Sequence, residues 1–377
     1  MTDAQQNTDA APQQPLRRLR AGVIGLGWAG QQHVAAYAAD PTVDLVALAA
    51  MEEHLLARFG DEHDVPGRYR DWRQMLSEAE LDVVSIATPT FLHASMAAAA
   101  LEAGLHVITE KPMAQNSETA AGMVEAARRA GRVLDVSFNH RQRGDVIALK
   151  DVVDSGVLGK LYYAKTGWVR RHGIPGMGTW FTKAESSGGG AMMDIGIHML
   201  DMTLHLMGEP TVTTASASTH AEFGPRGRGG SGFGVSALEE GAPFEVEDLA
   251  TAFLRLEGGA TLLLESSWAQ WIPEDLCYVT LYGADGGASI EWGSAPGNQT
   301  ITVWTEVAGI PAELQPVVGE DGRHAAAVAN FLRKVRSGDW AAHDGSLALR
   351  RAEVLDACYA SARTGSEVTL AARELAA

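Results

Sequence analysis

Four polar residues stand at helical spacing in an otherwise apolar stretch of this sequence. Asp194, His198, Asp201 and His205 follow the spacing i, i+4, i+7 and i+11, which places them on one face of a helix predicted over 192–207. Buried polar groups need partners, so this face requires an explanation. The four residues could form an ion-pair seam, bind a metal ion or point into an active site where histidine and carboxylate transfer protons.

A lysine at the end of a predicted strand is a second chemical candidate. The tripeptide Glu110-Lys111-Pro112 directly follows the strand predicted over His106–Thr109. Ligands of open parallel sheets bind beyond the carboxyl ends of the strands, so Lys111 is well placed to contact one. Without further context, a solvated surface lysine is an equally good interpretation.

A glycine loop predicts a dinucleotide site. Gly25-Leu26-Gly27-Trp28-Ala29-Gly30 follows a predicted strand and begins a predicted helix. In this motif Gly25 permits the tight turn, Gly27 lets the backbone approach a pyrophosphate, and Gly30 allows close packing of helix and strand. The helix N-terminus then offers amide donors to the phosphates.

The choice between NAD and NADP depends on the end of the second strand. An acid usually stands there to bind the ribose hydroxyls, but this sequence has Ala50. Glu52 lies two residues further and could substitute, or it could be a solvated residue at a helix start. Because no Arg or Lys stands nearby in the sequence to bind a 2′-phosphate, we expect NAD, with NADP as the alternative.

Short apolar runs alternate with helical segments up to residue 140, which is typical of a parallel sheet buried on both faces. The runs are Ala21–Ile24, Val43–Ala50, Val83–Ala87, His106–Thr109 and Val133–Phe138. Helices predicted over Phe91–Ala103 and Glu118–Ala130 end at glycines, the residue favoured for a left-handed C-cap. Asn116 or Ser117 is the expected N-cap of the second. We therefore expect an α/β fold with a doubly wound Rossmann sheet over residues 20–140, preceded by a disordered tail over 1–19.

Residues 141–377 follow a different pattern. Strand-like runs flank Gly258-Gly259 and Asp285-Gly286-Gly287, which predicts hairpins in an open, largely antiparallel sheet. We expect this α+β domain to bind substrate and to form oligomers, with final helices near 324–337 and 345–363 packing on either domain. Arg170 and Trp180, before the glycine triplet 188–190, are candidates for a polar and aromatic wall of a binding site, although an ordinary surface loop explains them as well.

Composition excludes several classes of function. The net charge of −17 disfavours a nucleic-acid partner, and no apolar run is long enough to span a bilayer. With only two cysteines in 377 residues, a disulfide framework is not expected, so a reducing cytoplasm fits.

At this point the motifs resemble a known family, the Gfo/Idh/MocA oxidoreductases. The matching segments, in the family's order, are GLGWAG, VSIATPTFLHASMAAAALEAGLHVITEKP, GRVLDVSFNHR, GGGAMMDIGIHMLD and HDGSLALRRAEVLDACYASARTG. The resemblance covers roughly residues 20–370. It implies an NAD(P)-dependent enzyme that moves a hydride between the cofactor and a secondary alcohol of a sugar, anhydrosugar, inositol or related polyol.

The resemblance also implies roles for individual residues. Lys111 would contact substrate and cofactor, with the Lys111–Pro112 bond cis. Asp194 would bind substrate, and His198 would be the general acid–base. The remaining implied positions are Thr88 and Pro89 lining the cofactor cleft, Glu110 near the nicotinamide ribose, and Asn139 and His140 beside the substrate. Lysine polarises the alcohol in this family, so no metal is expected.

Two alternatives to a simple dehydrogenase stay open. Some relatives are redox-assisted glycosidases that hold NAD tightly, and a non-catalytic cofactor-binding sensor is a third class. Retention of Lys111, Asp194 and His198 together disfavours a sensor. The open sheet favours a homo-oligomer, either a dimer or a tetramer, because an exposed sheet face tends to find a partner.

Overall fold

A computed structural model describes residues 17–231, 244–293 and 299–371. The predicted tail falls mainly outside this part of the chain. Within the tail, Arg17 already forms an ion pair with Asp82, and the first strand begins at Leu19.

The first sheet has six parallel strands in the order β3-β2-β1-β4-β5-β6, which is the Rossmann arrangement. The strands are β1 (Leu19–Ile24), β2 (Val43–Ala49), β3 (Gly67–Tyr69), β4 (Val83–Ile86), β5 (His106–Glu110) and β6 (Leu134–Ser137). Every residue of β4 and β5 is buried, because helices cover both faces of the sheet. The predicted fold class is confirmed. Strand β3 went unrecognised because a three-residue strand carries no periodicity.

Helices connect these strands. They are α1 (Trp28–Ala39), α2 (Glu53–Glu62), α3 (Trp72–Glu78), α4 (Thr90–Glu102) and α5 (Ser117–Ala130). The predicted caps of α5 are confirmed: the Asn116 side chain accepts from the Thr119 amide, and Gly131 adopts the left-handed conformation with φ of 59°.

The second sheet has nine strands, in the order β14-β13-β12-β11-β7-β10-β9-β8-β15. Its strands are β7 (Leu161–Val169), β8 (Val212–His220), β9 (Leu249–Leu256), β10 (Thr261–Ser267), β11 (Leu276–Gly283), β12 (Gly287–Trp292), β13 (Gln299–Val307), β14 (Ile310–Leu314) and β15 (Val368–Thr369). All pairs are antiparallel except β7 with β10. Both predicted hairpins are confirmed.

Five helices accompany the second sheet. They are α6 (Gly144–Asp154), the short α7 (Ala184–Ser187), α8 (Ile197–Leu206), α9 (Arg323–Ser337) and α10 (Ser346–Thr364). The two final helices, which the sequence left free to pack on either domain, differ in their packing. Helix α9 packs on α1 of the Rossmann domain, whereas α10 lies between β8 and α5 and contacts both domains.

The helix predicted over 192–207 has two parts. Residues Met192–Gly196 form a π-helical turn, in which the Ile197 amide donates to the Met192 carbonyl, and α8 continues from there. We name Met192–Leu206 the catalytic segment, after the candidate catalytic residues Asp194 and His198 that the sequence analysis places on it. A π-turn inside a helix is rare and occurs often at functional sites.

Candidate active site

Lys111 and Asp194 meet where the two domains face each other. Strand β5 ends at Glu110, so Lys111 projects beyond the carboxyl edge of the sheet, and its bond to Pro112 is cis as expected. The Lys111 ammonium donates to Asp194 Oδ1 at 3.0 Å and to the Asp194 carbonyl oxygen at 2.8 Å. Trp268 Nε1 donates to the other carboxylate oxygen at 2.9 Å. Burial alone would raise the pKa of Asp194, but the charges of Lys111 and Arg170 with these hydrogen bonds lower it.

One turn further along the catalytic segment, His198 lies against His140. The ring centroids are 4.4 Å apart, and the buried Nδ1 atom of each ring has no hydrogen-bond partner. Burial and the charge of Lys111 hold the pKa of His198 well below its ordinary value, and burial with the charge of Arg143 does the same for His140. Both rings are therefore neutral near pH 7 and able to accept a proton.

Aromatic rings wall the space around these histidines. Trp168 lies 5.4 Å from His140 and 5.9 Å from His198, and Trp292 lies 6.5 Å from Trp168. The guanidinium of the predicted wall residue Arg170 sits 5.0 Å from the centroid of Trp168. This wall offers apolar ring surface beside a cation, a combination suited to sugars.

A buried ion pair supports Trp292 from behind. Arg143 and Asp145 are each 1% exposed, and they pair through two hydrogen bonds. The Arg143 guanidinium lies 3.8 Å from the centroid of Trp292, which fixes the ring by a cation–π contact.

Glu110 anchors a hydrogen-bonded network behind Lys111. Its Oε1 atom lies 3.1 Å from His33 Nε2 and 3.7 Å from His324 Nε2, and Asn139 Nδ2 lies 3.3 Å from His324 Nδ1. Burial opposes ionisation of Glu110, but the hydrogen bond from His33 and the neighbouring charges outweigh it and lower the pKa to about 2. The ring of Trp28 meets His324 edge-on at 5.1 Å. The network thus joins the glycine loop, β5 and α9.

The glycine loop has the shape that a pyrophosphate needs. Gly25 has φ of 90°, and a Cβ on it would lie 2.5 Å from the Ala87 carbonyl oxygen. A Cβ on Gly30 would lie 1.9 Å from the Gly25 carbonyl oxygen. By contrast, a Cβ on Gly27, the N-cap of α1, would meet no atom within 4 Å. Open space therefore borders the helix start, where a phosphate would bind.

The loop after β4 is tied to the loop after β5. Pro89 is the N-cap of α4, and Thr88 precedes it. The ring nitrogens of His93 lie 2.8 Å from the Thr88 carbonyl oxygen and 3.0 Å from that of Pro112. His93 therefore holds the two predicted cofactor-contacting loops together, a role that local sequence does not reveal.

At the opposite end of the cleft, the expectation of no nearby cation needs correction. Glu52 is exposed and is the N-cap of α2, as its position after β2 predicts. However, Arg70, just beyond β3, forms an ion pair at 2.7 Å with the first helical residue, Glu53. Sequence distance hid this cation, because β2 and β3 are neighbours only in the sheet.

The predicted stripe of polar residues divides in two. Asp194 and His198 face the site, whereas Asp201 accepts from Arg141 at 2.7 Å and from Arg351 at 3.1 Å. His205 lies 3.7 Å from Glu209, which also pairs with both arginines. No group of three metal-binding side chains gathers anywhere in the described residues.

One predicted wall residue has a different neighbour. The ring contact of Trp180 in the described chain is with Phe181, at 3.9 Å between centroids, and not with the histidine pair. Trp168, Trp268 and Trp292 take the places beside the site instead. Each stands at or near the end of a strand, and only the sheet order shows that β7, β10 and β12 bring them together.

Comparison with known proteins places this geometry in context. A model of an oxidoreductase family with an NAD-binding Rossmann fold, Gfo/Idh/MocA, matches residues 19–138, and a model of the Gfo/Idh/MocA C-terminal domain matches residues 146–289. D-glucoside 3-dehydrogenase of Escherichia coli is 32% identical over 355 residues, which is 93% of this chain and 97% of that protein. Levoglucosan dehydrogenase of Pseudarthrobacter phenanthrenivorans is 31% identical over 67% of this chain and 68% of that protein.

A solved levoglucosan dehydrogenase, in complex with NADH and levoglucosan, shares the fold. It has a TM-score of 0.80 and 23% identity, and the match covers 94% of this chain and 99% of that one. Within the described residues, no helix is both long and apolar enough to cross a membrane. The matched domains and the full-length relative establish that this chain is an NAD-binding oxidoreductase of the Gfo/Idh/MocA family.

Proposed function

We propose that this protein is an NAD-dependent dehydrogenase that oxidises a secondary hydroxyl of a cyclic sugar or glycoside. The observation that carries the proposal is the convergence of the Lys111–Asp194 pair with a neutral histidine pair beside aromatic rings. Relatives named as D-glucoside 3-dehydrogenase and levoglucosan dehydrogenase support the substrate class.

The chemistry divides between cofactor and protein. Bound NAD+ would accept a hydride from the carbon that bears the hydroxyl. His198 takes the proton from the hydroxyl oxygen, because burial and the charge of Lys111 lower its pKa and keep the ring neutral. Lys111 stabilises the negative charge that develops on that oxygen, and Asp194 orients both the lysine and the substrate.

The walls favour a ring-shaped substrate. Trp168 offers an apolar face to the C–H groups of a pyranose, and the ring of His140 lies 5.4 Å from it, beside the proposed substrate position. Arg170, whose guanidinium lies 5.0 Å from the centroid of Trp168, would donate hydrogen bonds to the same substrate, and Asn139 would do so from the side of His324. An acyclic polyol presents no such flat face, so it should bind less well.

A substrate panel tests the proposal. NAD+ reduction should be measured with methyl β-D-glucopyranoside, levoglucosan, myo-inositol and the acyclic control D-sorbitol. We expect at least one cyclic compound to reduce NAD+ faster than sorbitol does. Cleavage of a glycoside without net NADH would instead indicate the redox-assisted glycosidase. Cofactor binding without any turnover would favour the sensor.

The cofactor preference follows from charge at the end of β2. Glu52 and Glu53 would repel a 2′-phosphate, and Glu53 neutralises Arg70 through their ion pair. Calorimetric titration should therefore give tighter binding of NADH than of NADPH. Glu53→Gln should reduce the difference in affinity between NADH and NADPH, because it removes the ion-pair partner of Arg70. Tighter binding of NADPH to the unmodified protein would overturn this assignment.

We also propose a division of labour and a homo-oligomer. Residues 20–140 bind the cofactor, and residues 141–377 bind substrate and form the interface. The face of the second sheet opposite the catalytic segment carries Phe253, Leu263 and Tyr278 around an open groove of about 530 Å³. Leu263 is well exposed there, which favours burial against a second copy. Light scattering should show a dimer or tetramer, and Leu263→Glu should shift it toward monomer.

A further inference from the structure

The glycine triplet before the catalytic segment is explained by close approach. Gly188, Gly189 and Gly190 each lie against a different part of the chain. The nearest atoms to a Cβ built on them are the Gln115 carbonyl oxygen at 2.4 Å, the Tyr359 hydroxyl at 2.0 Å and the Glu247 carbonyl oxygen at 1.8 Å. Any larger residue would push these neighbours away, so the triplet allows three segments to contact the start of the catalytic segment.

Glu247 lies against the third glycine and binds its amide and those that follow it. It is 7% exposed, and its Oε2 atom accepts from the Gly190 amide at 2.9 Å. Its Oε1 atom accepts from the Met192 amide and from the Tyr359 hydroxyl, each at 2.9 Å. Its carbonyl oxygen accepts from the Ala191 amide at 3.2 Å. One residue thus binds three consecutive amides at the segment's start, where helix amides lack partners within the helix.

The bonded amides lie next to the reacting groups. Met192 is two residues before Asp194, and the Asp194 amide donates to the Gly190 carbonyl at 2.9 Å. The Lys111 ammonium donates to both the carboxylate and the carbonyl oxygen of Asp194. A shift of the segment's start would therefore move Asp194 relative to Lys111. We propose that Glu247 is a positioning residue for the reaction: it holds the start of the catalytic segment so that Asp194 aligns Lys111. The kinetic part of this inference rests on the proposed function.

Glu247→Gln tests the inference. An amide side chain has one acceptor oxygen, so it cannot accept from all three donors, and its NH₂ group would face one of the amides. Since small displacements of reacting groups are costly, kcat should fall by roughly 10- to 100-fold. KM for NAD+ should change less than about twofold, because the glycine loop is untouched. Tyr359→Phe leaves intact the two hydrogen bonds from the Gly190 and Met192 amides to the Glu247 carboxylate. Its kcat should therefore fall by less than that of Glu247→Gln.

Asp248→Asn is the matched control. Asp248 is the next residue and is 1% exposed, and its Oδ2 atom also accepts from two amides, those of Phe223 at 2.6 Å and Gly224 at 2.9 Å. These amides belong to a turn outside the catalytic segment. Asp248→Asn should therefore lower thermal stability as Glu247→Gln does, while kcat stays within about twofold of the unmodified value.

Hydrogen exchange separates this inference from the proposed function. Glu247→Gln should accelerate exchange in residues 190–198, and Asp248→Asn should not. If no panel sugar reduces NAD+, the proposed function fails, and the exchange comparison alone decides whether Glu247 holds the segment. The inference is overturned if Glu247→Gln keeps full kcat, if both variants lose kcat equally, or if residues 190–198 exchange at the same rate in both.

Discussion

The two halves of the catalytic segment carry the same residue types in the same order, and their surroundings differ completely. In the first half, Asp194 holds Lys111, and His198 lies against His140 with its Nδ1 atom unpartnered. In the second half, Asp201 is enclosed by Arg141 and Arg351. We therefore propose that an acid followed four residues later by a histidine serves chemistry in the first half, whereas in the second half the same pair lies among ion-pair partners.

The two halves differ in how many partners their acids and histidines have. In the second half, Asp201 is paired with two arginines and His205 lies 3.7 Å from Glu209, which leaves these two side chains little capacity to bind a ligand. In the first half, the Asp194 carboxylate meets a single lysine and the Trp268 ring nitrogen, and the Nδ1 atoms of His140 and His198 are buried without a hydrogen-bond partner. We therefore expect the first half, and not the second, to contact a ligand.

The largest expected effect is on turnover. His198→Ala should lower kcat by about 10²–10⁴-fold, because it removes the proton acceptor. Lys111→Ala should be at least as damaging, since it removes charge stabilisation and substrate contacts together. Both variants should retain most of their affinity for NADH. Steady-state kinetics with the best panel sugar measures the effect, and near-normal turnover in His198→Ala would show that the first half was assigned wrongly.

The second expected effect is on stability. Asp201→Asn removes one of the two carboxylates that Arg141 and Arg351 share, the other being Glu209, and breaking a buried ion pair costs about 3 kcal/mol. Chemical denaturation should show this loss in the free energy of unfolding, with kcat largely preserved. A variant that is fully stable but inactive would contradict the comparison, because it would place Asp201 in the chemistry.

The third effect is a shift in the pH profile. Burial and the charge of Lys111 disfavour protonated His198, so its folded-state pKa lies below the ordinary value. The histidine then stays neutral as pH falls through about 6.5, and kcat/KM should decline only at lower pH. Stability should fall in the same direction, because below the ordinary pKa the unfolded chain binds more protons. An acid limb centred at or above pH 6.5 would argue against His198 as the base.

The smallest effect is expected at His205. Its contacts with Glu209 and Arg141 are 3.7 Å and 3.5 Å long, and its side chain is partly exposed. His205→Gln should therefore cost less than about 1 kcal/mol of stability and leave kcat unchanged. This variant is the matched control for His198→Ala, because both histidines lie on the same segment. A large loss of turnover in His205→Gln would mean that the second half of the segment affects the reaction.

Much of this fold could be predicted from sequence because its signals are local. Gly25, Gly27 and Gly30 follow a strand, and Asn116 and Gly131 bound α5 as capping rules predict. Strand β3 and the ion pair between Arg70 and Glu53 escaped prediction. A three-residue strand has no period, and its neighbour in the sheet is distant in the chain.

The sequence by itself determined the doubly wound sheet, the glycine loop, the hairpins of the second sheet and the spacing of the polar stripe. Each depends on periodicity, capping or turn chemistry within about 20 residues. Only the tertiary structure decided which half of the stripe faces the site, which tryptophans wall it, and that Glu247 holds its start. Those contacts join segments that are far apart in the chain. Residues of the same type, such as Asp194 and Asp201, therefore differ in their surroundings according to the charges that packing brings to them.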